Sequence, residues 1–280
     1  MIVWLNGNFI NETKAKISVF DRGFLYGEGL FETMRGYHGA PFAYFDHMDR
    51  LARGLKVLSL QIAYSTSDLL SVMRKLLSVN NLAQQDSYIR ITVTRGSTGN
   101  ARDFKATQPT CLIFCRQLNV HEINEKRRVG IKISSVPLHR DFLPEFKHLS
   151  YLSSLLALLR ISTGKQSDEA IFIGQDSSVL EGATSNIFFY DDTRVITPPA
   201  KGILPGIMRS CMIDALKKEG VKIQERKVNL KDIKHFKGAF ITNSIIELLP
   251  VRRMDGMLFS LDESRFFYTV LSKTISSAKN

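Results

Sequence analysis

Four stretches of the chain carry residue types that could do chemistry together. Lys147 lies in Pro144-Glu145-Phe146-Lys147-His148, just ahead of an apolar segment. A lysine in a loop is usually a solvated charge; as a nucleophile it needs surroundings that favour the neutral amine. Glu181 stands where an apolar run enters the small, turn-prone stretch Gly182-Ala183-Thr184-Ser185-Asn186. An acid there is commonly an ordinary turn residue, but the same carboxylate could hold a protonated ring nitrogen. Leu204-Pro205-Gly206-Ile207-Met208-Arg209 opens a helix. Unbonded N–H groups at a helix start suit a phosphate, and Gly206 lets a ligand approach the backbone. Ile241-Thr242-Asn243-Ser244 ends a strand with hydroxyl and amide groups that could donate to the same phosphate. Each stretch, taken by itself, also has a plain structural explanation.

The elements that must position these residues are mixed in type. Val3-Trp4-Leu5 and Phe9-Ile10 flank Asn6-Gly7, a dipeptide suited to a tight primed turn. Leu30 to Tyr37 and Pro41 to Tyr44 predict a second strand pair around His38-Gly39. A helix is expected from near Asp46, with Met48, Leu51, Leu55 and Leu58 on one stripe, and another after Ser65-Thr66-Ser67-Asp68, which has capping-box spacing. Tyr88 to Arg95 alternates as a strand, so that Tyr88 and Arg90 share one face. Thr110 to Arg116 predicts a further strand. In the second half the pattern predicts a strand over 129–136 and a helix over 149–162. Strands follow near 169–173, 179–181, 186–197, 221–228 and 238–243, with helices over 206–218 and 230–236. The polar, aperiodic segment 119–128 is expected to link an N-terminal α+β domain (1–118) to a C-terminal domain (129–280). The elements do not alternate as regular βαβ units, so the fold class is α+β.

Composition narrows the function. Hydrophobic residues make up 44% of the 280 residues and charged residues 23%, which is ordinary globular usage. Three cysteines without CxxC spacing form neither a disulfide framework nor a zinc site, and no metal is expected. The start of the chain lacks the pattern of a signal peptide, and no apolar run is long enough to span a bilayer. A soluble, cytoplasmic protein is the expectation. The net charge of +11 is spread along the chain. The densest cluster, Lys126-Arg127-Arg128, is short and follows Glu122 and Glu125, with no interleaved aromatics. That favours small anionic molecules over nucleic acid as partners.

In types, order and spacing these fragments resemble the class IV aminotransferases, the fold-type IV pyridoxal-phosphate family. The resemblance begins with Asp21-Arg22-Gly23-Phe24-Leu25-Tyr26-Gly27-Glu28-Gly29-Leu30-Phe31-Glu32 and continues through His47-Met48-Asp49-Arg50-Leu51, Tyr88-Ile89-Arg90 and Thr94-Arg95-Gly96. It takes in Lys147 with Tyr151-Leu152, Asp168-Glu169-Ala170 and Glu181 to Asn186. It closes with Thr197-Pro198, Leu204 to Arg209 and Leu249-Pro250-Val251. The resemblance implies a smaller N-terminal and a larger C-terminal domain with pyridoxal 5'-phosphate at their interface. It implies that Lys147 is the Schiff-base lysine and proton shuttle, and that Glu181 partners the pyridine nitrogen. Arg50, the N–H groups of Ile207 and Met208 and the Ser244 hydroxyl would hold the phosphate, and Tyr151 would stand near the phenolic oxygen. A homodimer with a shared active site is implied in the same way.

Within the family, Tyr26, Phe31, Arg35, Tyr88 and Arg90 resemble the branched-chain transaminases, and Glu247 is transaminase-like. An arginine at position 90 could hold a substrate carboxylate through a bidentate pair; a structural ion pair explains it equally well. Other positions resemble aminodeoxychorismate lyase. Thr33 stands where branched-chain enzymes usually have glycine and the lyase a catalytic threonine, Met208 replaces a threonine, and Asn243-Ser244-Ile245 replaces Gly-Thr-Ala. The lyase's arginine after its Arg-Gly pair is out of register, because Asn100 takes that place and Arg102 follows two residues later. Amino-group transfer from a small branched-chain L- or D-amino acid to a 2-oxo acid is the expected reaction. Lysis of 4-amino-4-deoxychorismate to pyruvate and 4-aminobenzoate is the alternative. Thr33 and Ile245 join Tyr26, Phe31, Arg35, Tyr88 and Arg90 as expected substrate contacts.

Overall fold

Asn6 and Gly7 both take positive φ, 48° and 93°, which is what a primed hairpin turn requires. They join β1 (Ile2–Leu5) to β2 (Asn8–Asn11). His38 and Gly39, at 46° and 81°, close a second hairpin in the same way. The computed structural model describes residues 1–98, 102–104, 108–137, 144–164 and 166–277; Asn100 lies outside them. The chain forms two units. The first comprises Met1–Leu118 with Phe146–Tyr151, and the second takes up Asn119–Glu145 and the chain from Leu152 onward.

The first unit continues with α1 (Arg22–Tyr26), β3 (Gly29–Tyr37), β4 (Ala40–Pro41), α2 (Tyr44–Val57), α3 (Thr66–Val79), β5 (Ser87–Thr94) and β6 (Thr110–Gln117). Its strands form a six-stranded sheet in the order β2-β1-β6-β5-β3-β4. Alternation along β3, β5 and β6 sends Leu30, Met34, Ile89, Ile91, Val93, Cys111, Ile113 and Cys115 into one core with Met48, Leu51 and Leu55 of α2 and Met73, Leu76 and Leu77 of α3. The capping box expected at Ser65 and Asp68 is present in both directions. Tyr44, expected at a strand end, instead begins α2. Ala43 takes a left-handed conformation at φ 49° and turns the chain, and the Tyr44 hydroxyl donates to Thr66 O at 2.6 Å.

The second unit contains α4 (Val120–Val129), β7 (Ile131–Val136), α5 (Leu152–Gly164), β8 (Glu169–Ile173), β9 (Ser178–Gly182), β10 (Asn186–Tyr190), β11 (Val195–Thr197) and α6 (Ile207–Lys218). It ends with β12 (Ile223–Glu225), β13 (Val228–Asn229), β14 (Gly238–Asn243), β15 (Glu247–Met254), β16 (Met257–Leu258) and α7 (Ser264–Ser277). The strands form a ten-stranded sheet, ordered β12-β11-β10-β14-β15-β7-β8-β9-β13 with β16 on β15. β7 and β8 pair in parallel, with α5 between them in the chain. Phe188 stacks on Phe240 at 4.8 Å, and Phe267 of α7 packs on Phe240 and Tyr190.

Further expectations give way here: the strand expected over 221–228 is two, β12 on β11 and β13 on β9. The polar stretch 119–128 is α4 rather than an irregular linker. Asn119 caps it, Lys126 pairs with Glu122 and Arg128 with Glu125, and only Ile123 is buried, so no apolar stripe marks it. The expected helix over 149–162 starts at Leu152, because Leu149 N–H is taken by Gly29 O and Tyr151 N–H turns back onto Leu149 O. The single strand expected over 186–197 is two, since Asp191 Oδ1 accepts from the N–H groups of Thr193 and Arg194 and turns the chain.

Candidate active site

β3 organises the expected site residues of the first unit. All nine of its residues are buried. One edge pairs with β5 along its length, and the end near Gly29 receives the segment that carries Lys147. Phe31 N–H donates to Lys147 O at 2.8 Å, Leu149 N–H donates to Gly29 O at 2.9 Å, and His148 bridges to Leu30. Gly29 is required by this close approach, since a Cβ there would lie 2.6 Å from Val93 O and 2.7 Å from a Leu149 methyl. Backbone hydrogen bonds therefore fix Lys147 regardless of its side chain.

The Lys147 ammonium nitrogen lies 4.3 Å from the centre of the Phe31 ring, and the Arg90 guanidinium carbon lies 3.7 Å from the same centre. Tyr151 meets that ring edge-on at 5.9 Å. The register of β3 and β5 sets Thr33 opposite Arg90 and Phe31 opposite Thr92, so these side chains share one face. Arg90 Nε donates to Thr92 Oγ1 at 3.2 Å, and Tyr88 stacks on Phe114. Lys147, Tyr151, Phe31, Thr33 and Arg90 are thus gathered. Arg35 and Tyr26 are not gathered with them. Arg35 donates to Asp86 at 2.9 Å and lies over Tyr37, and Tyr26 is more than half exposed on α1 beneath Arg22.

Arg50, on the buried side of α2, meets Glu32 of β3. Its Nε and Nη2 each donate to the Glu32 carboxylate at 2.7 Å, and His47 Nδ1 meets the same carboxylate at 2.7 Å. Glu32 and His47 were not among the expected site residues. The signal was available: Glu32 is an acid on the otherwise apolar Leu30–Met34 face, and His47 and Arg50 are three apart on α2's buried side. Burial alone would raise the Glu32 carboxyl, but Arg50 and His47 outweigh it and hold the group at about 2 against an ordinary 4.5. Burial lowers the His47 pKa from 6.5 despite Glu32, and the charges of Arg50 and Lys147 push the same way.

Both groups have folded-state pKa values below their unfolded ones. Their stabilisation is full above the unfolded values and is lost as pH falls toward the folded values. His47 begins to cost stability below about pH 6.5, and Glu32 between about 4.5 and 2, the latter on the order of 3 kcal/mol. The melting temperature of the wild type should therefore fall more steeply below about pH 4.5 than that of Glu32→Gln. Parallel curves from calorimetry would contradict this account.

The second unit carries the remaining expected residues. Glu181, at the end of β9, is 2% exposed. Its carboxylate accepts from Leu204 N–H at 2.9 Å and from Asn186 Nδ2 at 3.3 Å, while Asn186 also donates to Leu204 O at 3.0 Å. Asn186, at the end of the turn-prone stretch after Glu181, thus ties Glu181 to the chain entering α6. Gly206 is the N-cap of α6, and among the described residues no side-chain cap hydrogen bond is made there. A Cβ on Gly206 would run into Asn186 Oδ1, so glycine is needed there. The helix start that carries Ile207 and Met208 keeps N–H groups directed beyond the helix. Thr242 lies opposite Asn186 in the β10–β14 pairing, and its hydroxyl is buried with no hydrogen-bond partner among the described residues. Asn243 Oδ1 accepts from the N–H groups of Ile245 and Ile246 at 2.9 Å, which shapes the turn bearing Ser244 and Ile245. A helix start with no side-chain cap, a buried hydroxyl and a buried carboxylate that accepts from Leu204 N–H and Asn186 Nδ2 suit an anion and a protonated ring nitrogen. Among the described residues no cluster of His, Cys, Asp or Glu is arranged to hold a metal ion. No described helix is long and apolar enough to cross a membrane.

A family model for class IV amino-transferases matches residues 29–254. The chain is 36% identical over 266 residues to a putative branched-chain-amino-acid aminotransferase of Methanocaldococcus jannaschii, covering 93% of this chain and 90% of that one. It is 31% identical over 262 residues to an aminodeoxychorismate lyase of Bacillus subtilis, covering 91% and 87%. Its fold matches the crystal structure of a branched-chain aminotransferase from Thermoproteus uzoniensis with norvaline at a TM-score of 0.87. Identity there is 26%, covering 98% of this chain and 95% of that one.

Proposed function

The chain belongs to the class IV aminotransferases, and we propose that it transfers the amino group of a small branched-chain or D-amino acid to a 2-oxo acid. Enzymes of this family depend on pyridoxal 5'-phosphate, and the residues described above fit that cofactor. When bound, it supplies an aldehyde carbon that bonds to amines and a ring that draws electrons from the carbon bearing the substrate nitrogen. In this reading Lys147 would hold the cofactor covalently and, once a substrate amine has displaced it, its freed amine would take a proton from that carbon and return it. Glu181 keeps a proton on the ring nitrogen. The N–H groups of Ile207 and Met208, the Ser244 hydroxyl and Arg50 hold the phosphate, and Tyr151 holds the phenolic oxygen. Phe31, Thr33, Tyr88, Arg90 and Ile245 shape the substrate's place, with Tyr26 and Arg35 further out.

One observation carries the choice of substrate. The Lys147 amine and the Arg90 guanidinium stand over one aromatic ring, 4.3 and 3.7 Å from its centre. An α-amino acid carries its carboxylate on the very carbon whose proton is moved, so an arginine beside the lysine suits it. The amino group of aminodeoxychorismate has no carboxylate on its own carbon. Incubating the enzyme with leucine or D-alanine plus 2-oxoglutarate tests this directly; no transfer from either would sink it.

Thr33 supports a second reading, lysis of aminodeoxychorismate. It is 8% exposed, directly across from Arg90 and on Phe31's face, where a hydroxyl could deliver a proton to a departing enolpyruvyl oxygen. Under the transfer reading Thr33 only shapes the pocket, so Thr33→Ala and Thr33→Gly should keep half-reaction rates within about tenfold of wild type. Rapid pyruvate release from aminodeoxychorismate, lost in Thr33→Ala, would reverse the ranking.

The reading includes a homodimer with a shared site. Leu152, Leu155, Leu156 and Leu159 line one face of α5 at 66%, 54%, 49% and 58% exposure, an apolar stripe that a second copy would cover. Light scattering should give twice the chain mass, and Leu155→Glu with Leu159→Glu should shift the protein toward monomer. A wild-type monomer at micromolar concentration would overturn the dimer.

A further inference from the structure

Glu169 begins β8 and is 3% exposed, in the same unit as Glu181. Among the described residues no basic side chain pairs with it. One carboxylate oxygen accepts from Ala170 N–H at 3.0 Å. The other accepts from Thr184 N–H at 3.2 Å, from the Ser185 hydroxyl at 3.1 Å and from the Thr184 hydroxyl in a very short bond. Thr184 and Ser185 belong to the turn between Glu181 and Asn186. That turn is closed by Gly182 N–H on Ser185 O at 2.7 Å and tied to β8 by Ala183 N–H on Ala170 O at 2.8 Å. Space under it is tight, since a Cβ on Gly182 would lie 3.2 Å from the Glu169 carboxyl carbon.

The contacts run on through Thr184. Its carbonyl accepts from Asn243 Nδ2 at 3.1 Å, and Asn243 Oδ1 in turn holds the N–H groups of Ile245 and Ile246. A single buried carboxylate thus reaches both the turn between Glu181 and Asn186 and, through Thr184 and Asn243, the turn that carries Ser244 and Ile245. We propose that Glu169 is a positioning residue which sets Glu181 and the Ser244–Ile245 turn in one arrangement, so that ring nitrogen and phosphate are gripped in register. The proposal rests on the reading of Glu181 and Ser244 as cofactor contacts. Glu169 touches neither cofactor nor substrate in this role; it acts through Thr184, Ser185 and Asn243. Burial raises its carboxyl above the ordinary range against the pull of these four donors, which is consistent with a group placed to hold a turn rather than to balance a charge.

Glu169→Gln replaces one acceptor oxygen by an amide that can only donate, facing N–H and hydroxyl donors. Apoenzyme of the variant, titrated with pyridoxal phosphate, should bind about tenfold more weakly. The pH at which the bound cofactor's visible absorbance changes should move in the same direction as in Glu181→Gln. Thr184→Val replaces the hydroxyl of an exposed residue with a methyl group and should weaken binding about threefold, while Thr184→Ser, which keeps the hydroxyl, should bind with wild-type affinity. The Thr184 pair decides the matter if Glu169→Gln does not fold. A lower melting temperature of apo Glu169→Gln, with affinity and absorbance unchanged in it and in Thr184→Val, would show a merely structural role and overturn the proposal. The reading beneath it fails separately, if wild-type apoenzyme takes up no cofactor or Glu181→Gln leaves the absorbance profile unchanged.

Discussion

Lys147→Ala should lower turnover by at least about ten-thousandfold, because the covalent hold on the cofactor and the carrier of the proton vanish together. The fold should survive the change. The segment is fixed to β3 through Phe31 N–H on Lys147 O and Leu149 N–H on Gly29 O, and neither bond uses the lysine side chain. One local contribution of the side chain is its place over Phe31, an interaction of about 0.5–1 kcal/mol at exposed sites and about 2 kcal/mol where desolvated. Lys147→Arg sharpens the test. Arginine can keep a cation over the ring, yet it does not give up its proton and cannot bond to an aldehyde carbon as an amine does. It should be as inactive as alanine. Borohydride reduction of wild-type holoenzyme followed by peptide mass spectrometry should find the phosphopyridoxyl group on Lys147, and on no residue in either variant. A label on another lysine, or appreciable turnover in Lys147→Arg, would remove Lys147 from its role.

How much of this was legible in the sequence depended on whether a residue's place is set locally. The hairpin at Asn6-Gly7 and the capping box at Ser65 and Asp68 were legible because a turn and a cap are decided within four residues. The sharing of a face by Tyr88 and Arg90 followed from the period of a strand alone. α4 was not legible, because ion pairs and an Asn cap, not an apolar stripe, make it a helix. The start of α5 was misplaced for a different reason. Leu149 looks like helix on apolar pattern, but its N–H is taken by Gly29, more than a hundred residues earlier. The same distinction separates the site residues. The helix start at Gly206 announces itself by composition, whereas the Glu32 cluster and the Asn186 clasp exist only once strands and helices distant in the chain are packed. Register also decides which of the expected substrate residues stand together. On the face that Arg35 shares with Thr33, the pairing sets Tyr88 across from Arg35 and Arg90 across from Thr33, and Arg35 is taken by Asp86.

Glu181→Gln should slow proton removal from the substrate on the order of a hundredfold while changing cofactor affinity far less. Two of the carboxylate's hydrogen bonds bear on how far the change is separable from folding. Leu204 N–H and Asn186 Nδ2 each donate to it, and a glutamine turned with its oxygen toward Leu204 can keep the shorter of those bonds. What glutamine cannot do is hold a positive charge, so a ring nitrogen beside it loses the group that keeps its proton. The carbon acid of the substrate then becomes harder to ionise, and the loss appears in the rate of proton abstraction, not in the grip on the phosphate. Single-turnover rates with α-deuterated amino acid separate the two. The variant should show a slower step with a full isotope effect, and apoenzyme titration should give an affinity within about tenfold of wild type. Asn186→Ala supplies the control, because it releases one donor from Glu181 but leaves the charge in place. Its rate should lie between those of wild type and Glu181→Gln. If Glu181→Gln abstracts the proton at the wild-type rate, the carboxylate does not serve the ring nitrogen, and its burial beside Leu204 and Asn186 is structural.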